Sequence, residues 1–307
     1  MACSGGADSL ALLALGALAA DPVAVYVDHG LRPESAADGR FVCDVASSLG
    51  VAVTVVPADV GAGPNVEERA RDARRAALLG AAERVDASPV LLGHTMDDQA
   101  ETVLLNMMRG GALSGLAGMP ARSGPISRPL LGFRRTETLE ICRRLRTTPR
   151  RDAMNDDEGF RRVWLRKRAL PLLDEGFDRD LVPVLARQAA IARDELAVLD
   201  ALADDVLQSA VDPEARGAGS ERGWLDAATV AAAPRAVARR VLRRWIGPPA
   251  PDAARIDDAL AVAGGTAVAA HVGGGREVRR SSGRLHLLDV PGSSSTTSTT
   301  VTASGPR

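Results

Sequence analysis

Apolar runs of two kinds alternate along the first half of the chain. Short runs rich in valine and leucine at 23–27, 51–56 and 89–93 predict buried parallel strands. Segments with helical spacing lie between them, at about 10–20, 34–49, 65–84 and 95–109. Strands and helices that alternate in this way predict an α/β fold, a doubly wound parallel sheet. In such sheets ligands bind at the carboxyl ends of the strands.

The second half of the chain has a different pattern. Helical spacing runs from 178 to 207, and further helices are predicted over about 227–245 and 252–262. A β-hairpin is predicted over 270–288, around three consecutive glycines. The segment 291–307 is rich in serine and threonine and is expected to be disordered. We therefore expect a mainly helical C-terminal domain.

Composition and cysteine usage exclude several classes of protein. An apolar content of 46% and a charged content of 25% are ordinary for a soluble globular protein. The apolar run at 10–20 is too short to span a bilayer, and Asp8 rather than a basic residue precedes it, which argues against a signal peptide. Three scattered cysteines without a C-x-x-C pair argue against a disulfide framework, a zinc site and an iron–sulfur cluster. A reducing, cytoplasmic compartment fits best.

Charge is distributed unevenly along the chain. The overall net charge of −1 does not mark the whole chain as a nucleic-acid binder. Between 134 and 168, however, there are 12 basic and 6 acidic residues, a local net charge of +6. Such a segment is either a solvated face or a phosphate-binding surface, and charge alone does not decide between the two.

A glycine-rich loop comes directly before the first predicted helix. Glycines let successive N–H groups turn toward one point, and a helix N-terminus favours negative charge, so the loop is suited to a pyrophosphate. Asp8 would repel a bare phosphate but is useful if Mg²⁺ lies between them. The alternative is a simple turn in which Asp8 caps the helix. The loop consists of Ser4, Gly5, Gly6, Ala7, Asp8 and Ser9.

Acidic residues open the helix predicted over 95–109. Thr95 and Asp98 have the spacing of a capping box, which accounts for Asp98 without any catalytic role. It does not account for Asp97 and Glu101, which are four residues apart on one helix face and are suited to hold a metal or an amine. His94 comes just before this helix, at the predicted end of a strand.

In order and spacing, these motifs resemble the tRNA(Ile)-lysidine synthases, a branch of the PP-loop ATP-pyrophosphatases. The resemblance rests on the Ser-Gly-Gly-x-Asp-Ser loop and on the segment 93–119, GHTMDDQAETVLLNMMRGGALSGLAGM. The resemblance is specific over about residues 4–173 and weaker over the rest of the chain. Shorter matches lie at Val27-Asp28-His29-Gly30-Leu31-Arg32 with Ser35, Asn65-Val66-Glu67, Ala70-Arg71-Asp72-Ala73-Arg74, Arg128-Pro129-Leu130-Leu131, and Asp152 with Asn155-Asp156, Arg162, Arg166 and Pro171-Leu172-Leu173.

The resemblance implies an adenine nucleotide α-hydrolase-like fold. It implies a catalytic domain over 1–173, a mainly helical tRNA-binding domain over 174–290 that ends in the hairpin, and the tail at 291–307. It also implies a reaction in two steps. ATP adenylates the C2 oxygen of the wobble cytidine in the CAU anticodon of isoleucine tRNA, and pyrophosphate leaves; the ε-amine of free lysine then displaces AMP and leaves lysidine. ATP and Mg²⁺ are the implied cofactors, with no membrane and no obligate protein partner.

Roles for individual residues follow from the same resemblance. The basic segment 134–168 gains a reason to be basic, since affinity for tRNA rests largely on phosphate contacts. The carboxylates near the strand ends become candidates for catalysis, and Asp8 for binding Mg²⁺. The candidate catalytic residues are Asp8, Asp97, Asp98 and Glu101; the candidate ATP-binding residues are Ser4, Gly5, Gly6, Ala7, Asp8, Ser9, His29 and His94; and the candidate tRNA-binding residues are Arg109, Arg162 and Arg166.

Several positions depart from the family pattern. Arg75 stands where the family usually has tyrosine, Met154 where it has serine, and Val163 and Trp164 where it has asparagine and arginine. Contacts that the usual residues make with RNA or ATP are therefore in question.

The start of the chain departs further. Only Met1-Ala2-Cys3 precede the loop, where the family has a buried strand that is central in a sheet of order 3-2-1-4-5. We therefore expect the first strand to be missing and the loop to be unanchored, with the true start upstream or the chain trimmed. Two alternatives stay open: another PP-loop tRNA-modifying enzyme, such as a thiolase, which the absent C-x-x-C pairs oppose, and a non-catalytic tRNA-binding remnant.

Overall fold

Two compact units make up the chain, divided between Arg193 and Asp194. The computed structural model describes residues 1–28, 30, 35–61, 63, 66–150, 156–211 and 223–290. The predicted disordered tail, 291–307, lies outside the described residues. In the described part of the chain, no helix has the length and apolar character needed to cross a membrane.

The N-terminal unit, Met1–Arg193, contains most of the elements that the alternating pattern predicts. Its strands are β1 (Val23–Asp28), β2 (Ala52–Pro57), β3 (Val90–Leu91), β4 (Arg122–Ser123) and β5 (Ile126–Ser127). Its helices are α1 (Ala7–Ala19), α2 (Ser35–Ser48), α3 (Val66–Arg84), α4 (Met96–Met108), α5 (Leu113–Leu116), α6 (Arg135–Arg144), α7 (Arg161–Trp164) and α8 (Leu170–Gly176), with a 3₁₀ turn at Pro129–Gly132 and a π-helical turn at Leu165–Ala169. The long helix α9 (Val182–Ala210) begins in this unit.

Residues 1–3 occupy the centre of the sheet. β1 pairs with β2 in parallel, and β3 pairs with β5 in parallel. Between these pairs, Ala2 N–H donates to the Leu91 carbonyl at 3.0 Å, while Val25 N–H donates to the Met1 carbonyl at 2.7 Å. With β4 antiparallel to β5, the hydrogen-bonded order is β2-β1-(1–3)-β3-β5-β4. The α/β class is confirmed, and the expectation of an unanchored loop is corrected, since Ala2 and Cys3 are each only 2% exposed.

Both faces of this sheet are covered by helices. Ala24 and Tyr26 of β1 pack in a buried cluster with α1 and α2, whereas Val25 packs in another with Leu78 and Ala81 of α3. Successive side chains of a strand point to opposite faces, so a strand buried on both sides has no polar positions to alternate. This explains why β1 appears in the sequence as a continuous apolar run.

The C-terminal unit is built around a four-stranded antiparallel sheet of order β6-β9-β8-β7. The predicted hairpin over 270–288 is a part of this sheet and has three strands rather than two. Ser282 (φ 50°) and Gly283 (φ 77°) form a two-residue turn that joins β8 to β9. The elements after α9 are β6 (Leu225–Asp226), α10 (Ala227–Ala232), α11 (Arg235–Ile246), α12 (Ala253–Ala263), β7 (Ala269–Gly273), β8 (Arg276–Ser281) and β9 (Arg284–Asp289).

Candidate functional site

The glycine-rich loop leads directly into α1. Gly6 is the N-cap residue, and no side chain caps the helix, while Gly5 has a φ of +82° that favours glycine. The Ser9 hydroxyl accepts from Ser4 N–H at 3.1 Å and donates to the Gly6 carbonyl at 2.9 Å, which holds the loop closed. N–H groups in the first turn of a helix have no partner within it, so this loop and helix end offer donors to an anion.

Asp8 does not cap α1, in contrast to the alternative interpretation of the loop. Its carboxylate instead accepts a hydrogen bond from the Thr138 hydroxyl at 2.5 Å, and the Arg135 guanidinium lies 3.6 Å away. The backbone of Asp8 is also close to Gly93, where a Cβ atom would lie only 2.9 Å from the Asp8 carbonyl oxygen. Glycine at 93 thus lets the end of the β3 segment approach the phosphate loop.

Two carboxylates at the N-terminus of α4 accept hydrogen bonds from arginines at the start of α6. The predicted capping box is present, because Asp98 accepts from Thr95 N–H at 2.8 Å and Thr95 caps the helix in return. The other oxygen of Asp98 accepts from Arg135 at 2.7 Å, so capping does not exhaust this carboxylate. Asp97 accepts from Arg135 N–H at 2.8 Å and from the Arg134 guanidinium at 3.2 and 3.3 Å.

Glu101 is the most deeply buried carboxylate of the cluster, with a side chain that is only 1% exposed. Arg166 donates to both of its oxygens, at 2.7 and 3.2 Å, and Arg135 donates at 3.4 Å. Arg162 donates to the hydroxyl of the neighbouring Thr102 at 3.2 Å. Two of the three arginines predicted to bind tRNA, Arg162 and Arg166, therefore lie against α4, beside the predicted catalytic carboxylates.

One guanidinium joins three of the predicted catalytic residues. Arg135 lies 2.7 Å from Asp98, 3.4 Å from Glu101 and 3.6 Å from Asp8. Sequence reasoning did not single out Arg134, Arg135 or Thr138. All three lie at the start of the basic segment 134–168, and this position was the one indication of a role that the sequence offered. Nothing in the local sequence indicated which arginines face the carboxylates.

In this site, burial and neighbouring charges shift the pKa values of the ionisable groups in opposite directions. Burial raises the pKa of Asp8 above its ordinary value, although Thr138 and Arg135 oppose the rise. Burial also acts to raise the pKa of Asp98, but Arg135 and the Thr95 hydrogen bonds outweigh it and the pKa is lowered. Burial lowers the pKa of His94 to about 4, against the opposing charge of Asp98, so this imidazole is neutral near pH 7.

Some predicted residues do not join the cluster. Arg109 is the C-cap residue of α4, 11 residues after Asp98, which puts it roughly 16 Å farther along the helix axis. His29, Asp152 and Asn155 lie outside the described residues.

The site offers hydrogen-bond donors and a polar atom suited to an anionic ligand. The first turn of α1 supplies backbone donors, and the buried Nδ1 of His94 has no hydrogen-bond partner among the described residues. The protein offers few ligands to a metal ion, because in the described ranges no three His, Cys, Asp or Glu side chains are arranged to hold one. A magnesium ion at Asp8 would therefore take most of its ligands from phosphate and water, as Mg²⁺ commonly does.

Comparison with known proteins gives the family. A family model described as a PP-loop domain matches residues 1–173, and one described as the TilS substrate binding domain matches residues 225–286. The tRNA(Ile)-lysidine synthase of Nocardia farcinica is 42% identical over 299 residues, which cover 94% of this chain and 90% of that protein. The chain belongs to the tRNA(Ile)-lysidine synthase family. Its similarity to the Rhodococcus erythropolis tRNA(Ile)-lysidine synthase is 44% identity, covering 80% of this chain and 73% of that one.

A solved structure supports the fold assignment alone. The U34-tRNA thiolase NcsA from Methanococcus maripaludis, with its 4Fe-4S cluster, matches 64% of this chain and 71% of its own chain. The TM-score is 0.50 and the identity 18%. This member of the lysidine synthase family thus shares its α/β architecture with an enzyme of another activity, and the architecture alone does not specify the reaction.

Proposed function

We propose that the protein is an ATP-dependent ligase that converts the wobble cytidine of isoleucine tRNA with a CAU anticodon into lysidine. The C2 oxygen of the cytidine attacks the α-phosphorus of ATP and pyrophosphate leaves. The ε-amine of free lysine then attacks C2, AMP leaves, and a carbon–nitrogen bond is formed. One observation carries the proposal beyond family membership: the anion-binding loop and the buried carboxylates meet at Arg135, on one edge of the sheet.

We assign the first step to the loop of residues 4–9 and the start of α1. The backbone donors there suit the leaving pyrophosphate, on which negative charge builds as the P–O bond breaks. Mg²⁺ bound between Asp8 and the phosphates would neutralise part of that charge. His94, neutral and with a free Nδ1, is a suitable hydrogen-bonding group for ATP, and His29 is proposed to bind ATP from the segment after β1.

We assign the lysine ammonium to Asp98 and Glu101. Both oxygens of Asp97 already accept hydrogen bonds from Arg134, and one also accepts from Arg135 N–H, so Asp97 is proposed to position α6. Asp98 and Glu101 lie three residues apart on one face of α4, so both can reach one ammonium group. The contact that an ammonium would replace is the longer one, 3.4 Å, between Arg135 and Glu101.

The tRNA is proposed to approach the same edge of the sheet. A wobble base lies in a single-stranded loop and can be turned into a pocket at modest cost. Arg162 and Arg166 lie close enough to the carboxylates to orient that base, and Arg109 is available to a phosphate farther along the loop. Free lysine and tRNA are cytoplasmic, and we propose that the enzyme works there without an obligate protein partner.

One assay tests this proposal against its alternatives. The enzyme is incubated with ATP, Mg²⁺, radiolabelled lysine and an isoleucine tRNA transcript with a CAU anticodon, and pyrophosphate and labelled tRNA are both measured. We expect both products, and neither with a control transcript that has uridine at the wobble position. Pyrophosphate release without lysine incorporation would favour another PP-loop modification, and tRNA binding without turnover would favour a non-catalytic remnant.

A further inference from the structure

Hydrogen bonds of different kinds join α6 and the segment after it to the glycine-rich loop. Arg150 N–H donates to the Gly5 carbonyl at 2.9 Å, so this bond joins two backbone groups. The Thr138 hydroxyl donates to a carboxylate oxygen, Oδ1 of Asp8, at 2.5 Å. Asp8 is the loop residue that is proposed to bind Mg²⁺, so whatever orients its carboxylate bears on how the loop binds ATP.

The hydroxyl of Thr138 has one proton and two acceptors within reach. Thr138 is fully buried, and its oxygen also lies 2.9 Å from the carbonyl of Arg135, three residues earlier on α6. A threonine inside a helix commonly donates to such a carbonyl. A hydrogen bond to an ionised carboxylate, however, is shorter and about twice as strong as one between neutral groups. The bond to Asp8 is the shorter of the two, which places the proton on the side of Asp8.

Both oxygens of the Asp8 carboxylate are held from the same helix. Thr138 donates to Oδ1, and the Arg135 guanidinium lies 3.6 Å from Oδ2. An ionised carboxylate has about four lone-pair sites, so these two partners fix the plane of the group and leave lone pairs for a cation. The Asp8 side chain is 25% exposed, so a ligand can reach it. Because Mg²⁺ demands near-ideal octahedral geometry, a carboxylate that is oriented in advance binds it more tightly than one that must be ordered on binding.

We propose that Thr138 is a positioning residue, which holds the Asp8 carboxylate in the orientation that binds Mg²⁺ beside the phosphates of ATP. Thr138 acts through Asp8 rather than by touching the metal or the nucleotide. The inference rests on the proposed function only for the use of ATP and Mg²⁺. The alternative is that Thr138 fills space where α1 and α6 pack together. In that case the shape of its side chain would matter and its hydroxyl would not.

The test separates the hydroxyl of Thr138 from the shape of its side chain. Thr138→Val keeps the branched shape and removes the hydroxyl, whereas Thr138→Ser keeps the hydroxyl and removes a methyl group. Thr136→Val is the matched control, since it makes the same change at an exposed position of the same helix. Calorimetry measures the Kd for ATP with Mg²⁺ and with EDTA, in the absence of tRNA and lysine. The ratio of the two Kd values gives the strengthening of ATP binding that Mg²⁺ produces.

We expect the strengthening by Mg²⁺ to be roughly tenfold smaller in Thr138→Val than in the unaltered protein, because one hydrogen bond to a charged group is lost. The Kd in EDTA should not change, and Thr138→Ser and Thr136→Val should both behave like the unaltered protein. An unchanged ratio in Thr138→Val, whether ATP binding is weakened equally in both conditions or not at all, would overturn the inference. Thr138→Ala repeats the comparison if valine disturbs the fold. Normal binding of ATP and Mg²⁺ without lysidine synthesis would count against the proposed function alone.

Discussion

The cost of removing the charge of Glu101 follows from its burial. The side chain is 1% exposed and accepts from Arg166 at 2.7 Å and from Arg135 at 3.4 Å. Glu101→Gln keeps the size of the side chain but removes the carboxylate that Arg166 binds, while Arg135 keeps Asp98 and Asp8. Removing one partner of a buried ion pair typically costs about 3–5 kcal/mol. Because Arg166 is 30% exposed and water can solvate part of it, we expect a smaller loss than this, about 2–3 kcal/mol.

That loss should be visible in thermal unfolding. For a unit of this size, 1 kcal/mol corresponds to about 2–4 °C, so the midpoint of Glu101→Gln should fall by roughly 5–10 °C in scanning calorimetry. Glu140→Gln on α6 is the matched control, since Glu140 accepts from Arg143 at 2.6 Å and from Arg144 at 2.9 Å but is 39% exposed. Those two arginines lower the pKa of Glu140 to about 2, yet water and salt screen the pair, and its midpoint should not change. Equal shifts of the unfolding midpoint in the two variants would refute the argument that burial determines how much each ion pair contributes to stability.

Three further changes test the site. Gly93→Ala places a Cβ 2.9 Å from a backbone oxygen of the phosphate loop. It should raise the KM for ATP and cost about 1–3 kcal/mol of stability. In the control Gly132→Ala the Cβ meets nothing within 4 Å, so neither the KM nor the stability should change. The pKa of His94 is about 4 in the folded protein and its ordinary value is 6.5, so the unfolded chain binds more protons between these two values. Stability should therefore fall as the pH drops through that window, by on the order of 2 kcal/mol at pH 5. His94→Asn should flatten the pH dependence of the urea midpoint. Arg135→Gln should raise the pKa of Asp98, because it removes the cation that holds that pKa down, and an acidic limb of the pH–rate profile that stays in place would contradict this.

Local sequence pattern predicted the long elements well and the short ones poorly. The runs at 23–27 and 51–56 correspond to β1 and β2, because a strand buried on both faces leaves a continuous apolar signal. The run at 89–93 yields only the two residues of β3, although Leu92 N–H still donates to the Ser127 carbonyl at 2.9 Å before Gly93 meets the phosphate loop. β4 and β5, also of two residues each, are too short to show any periodicity.

Long-range contacts account for what the sequence did not reveal about the start of the chain. Three residues seemed too few to form the central strand. They lie there because Ala2 and Cys3 hydrogen-bond to Leu91 on one side and Val25 on the other, which are distant in sequence and invisible to a local pattern. The same applies to the site, where the carboxylates of α4 were found from their helical spacing but Arg134 and Arg135, more than 30 residues away, were not.

The balance of charge in the carboxylate cluster argues for a cationic ligand. Five carboxylates, counting Asp180, which pairs with Arg134, share the cations of Arg134, Arg135 and Arg166. With all groups ionised the cluster carries an excess of two negative charges, which is costly in a largely buried setting. Binding of an ammonium group or a divalent metal ion would reduce that excess. The glycine-rich loop meets the same cluster through Asp8 and Arg135, so the proposed sites for a cation and for phosphates, the two kinds of charge that lysine and ATP bring to the reaction, lie side by side.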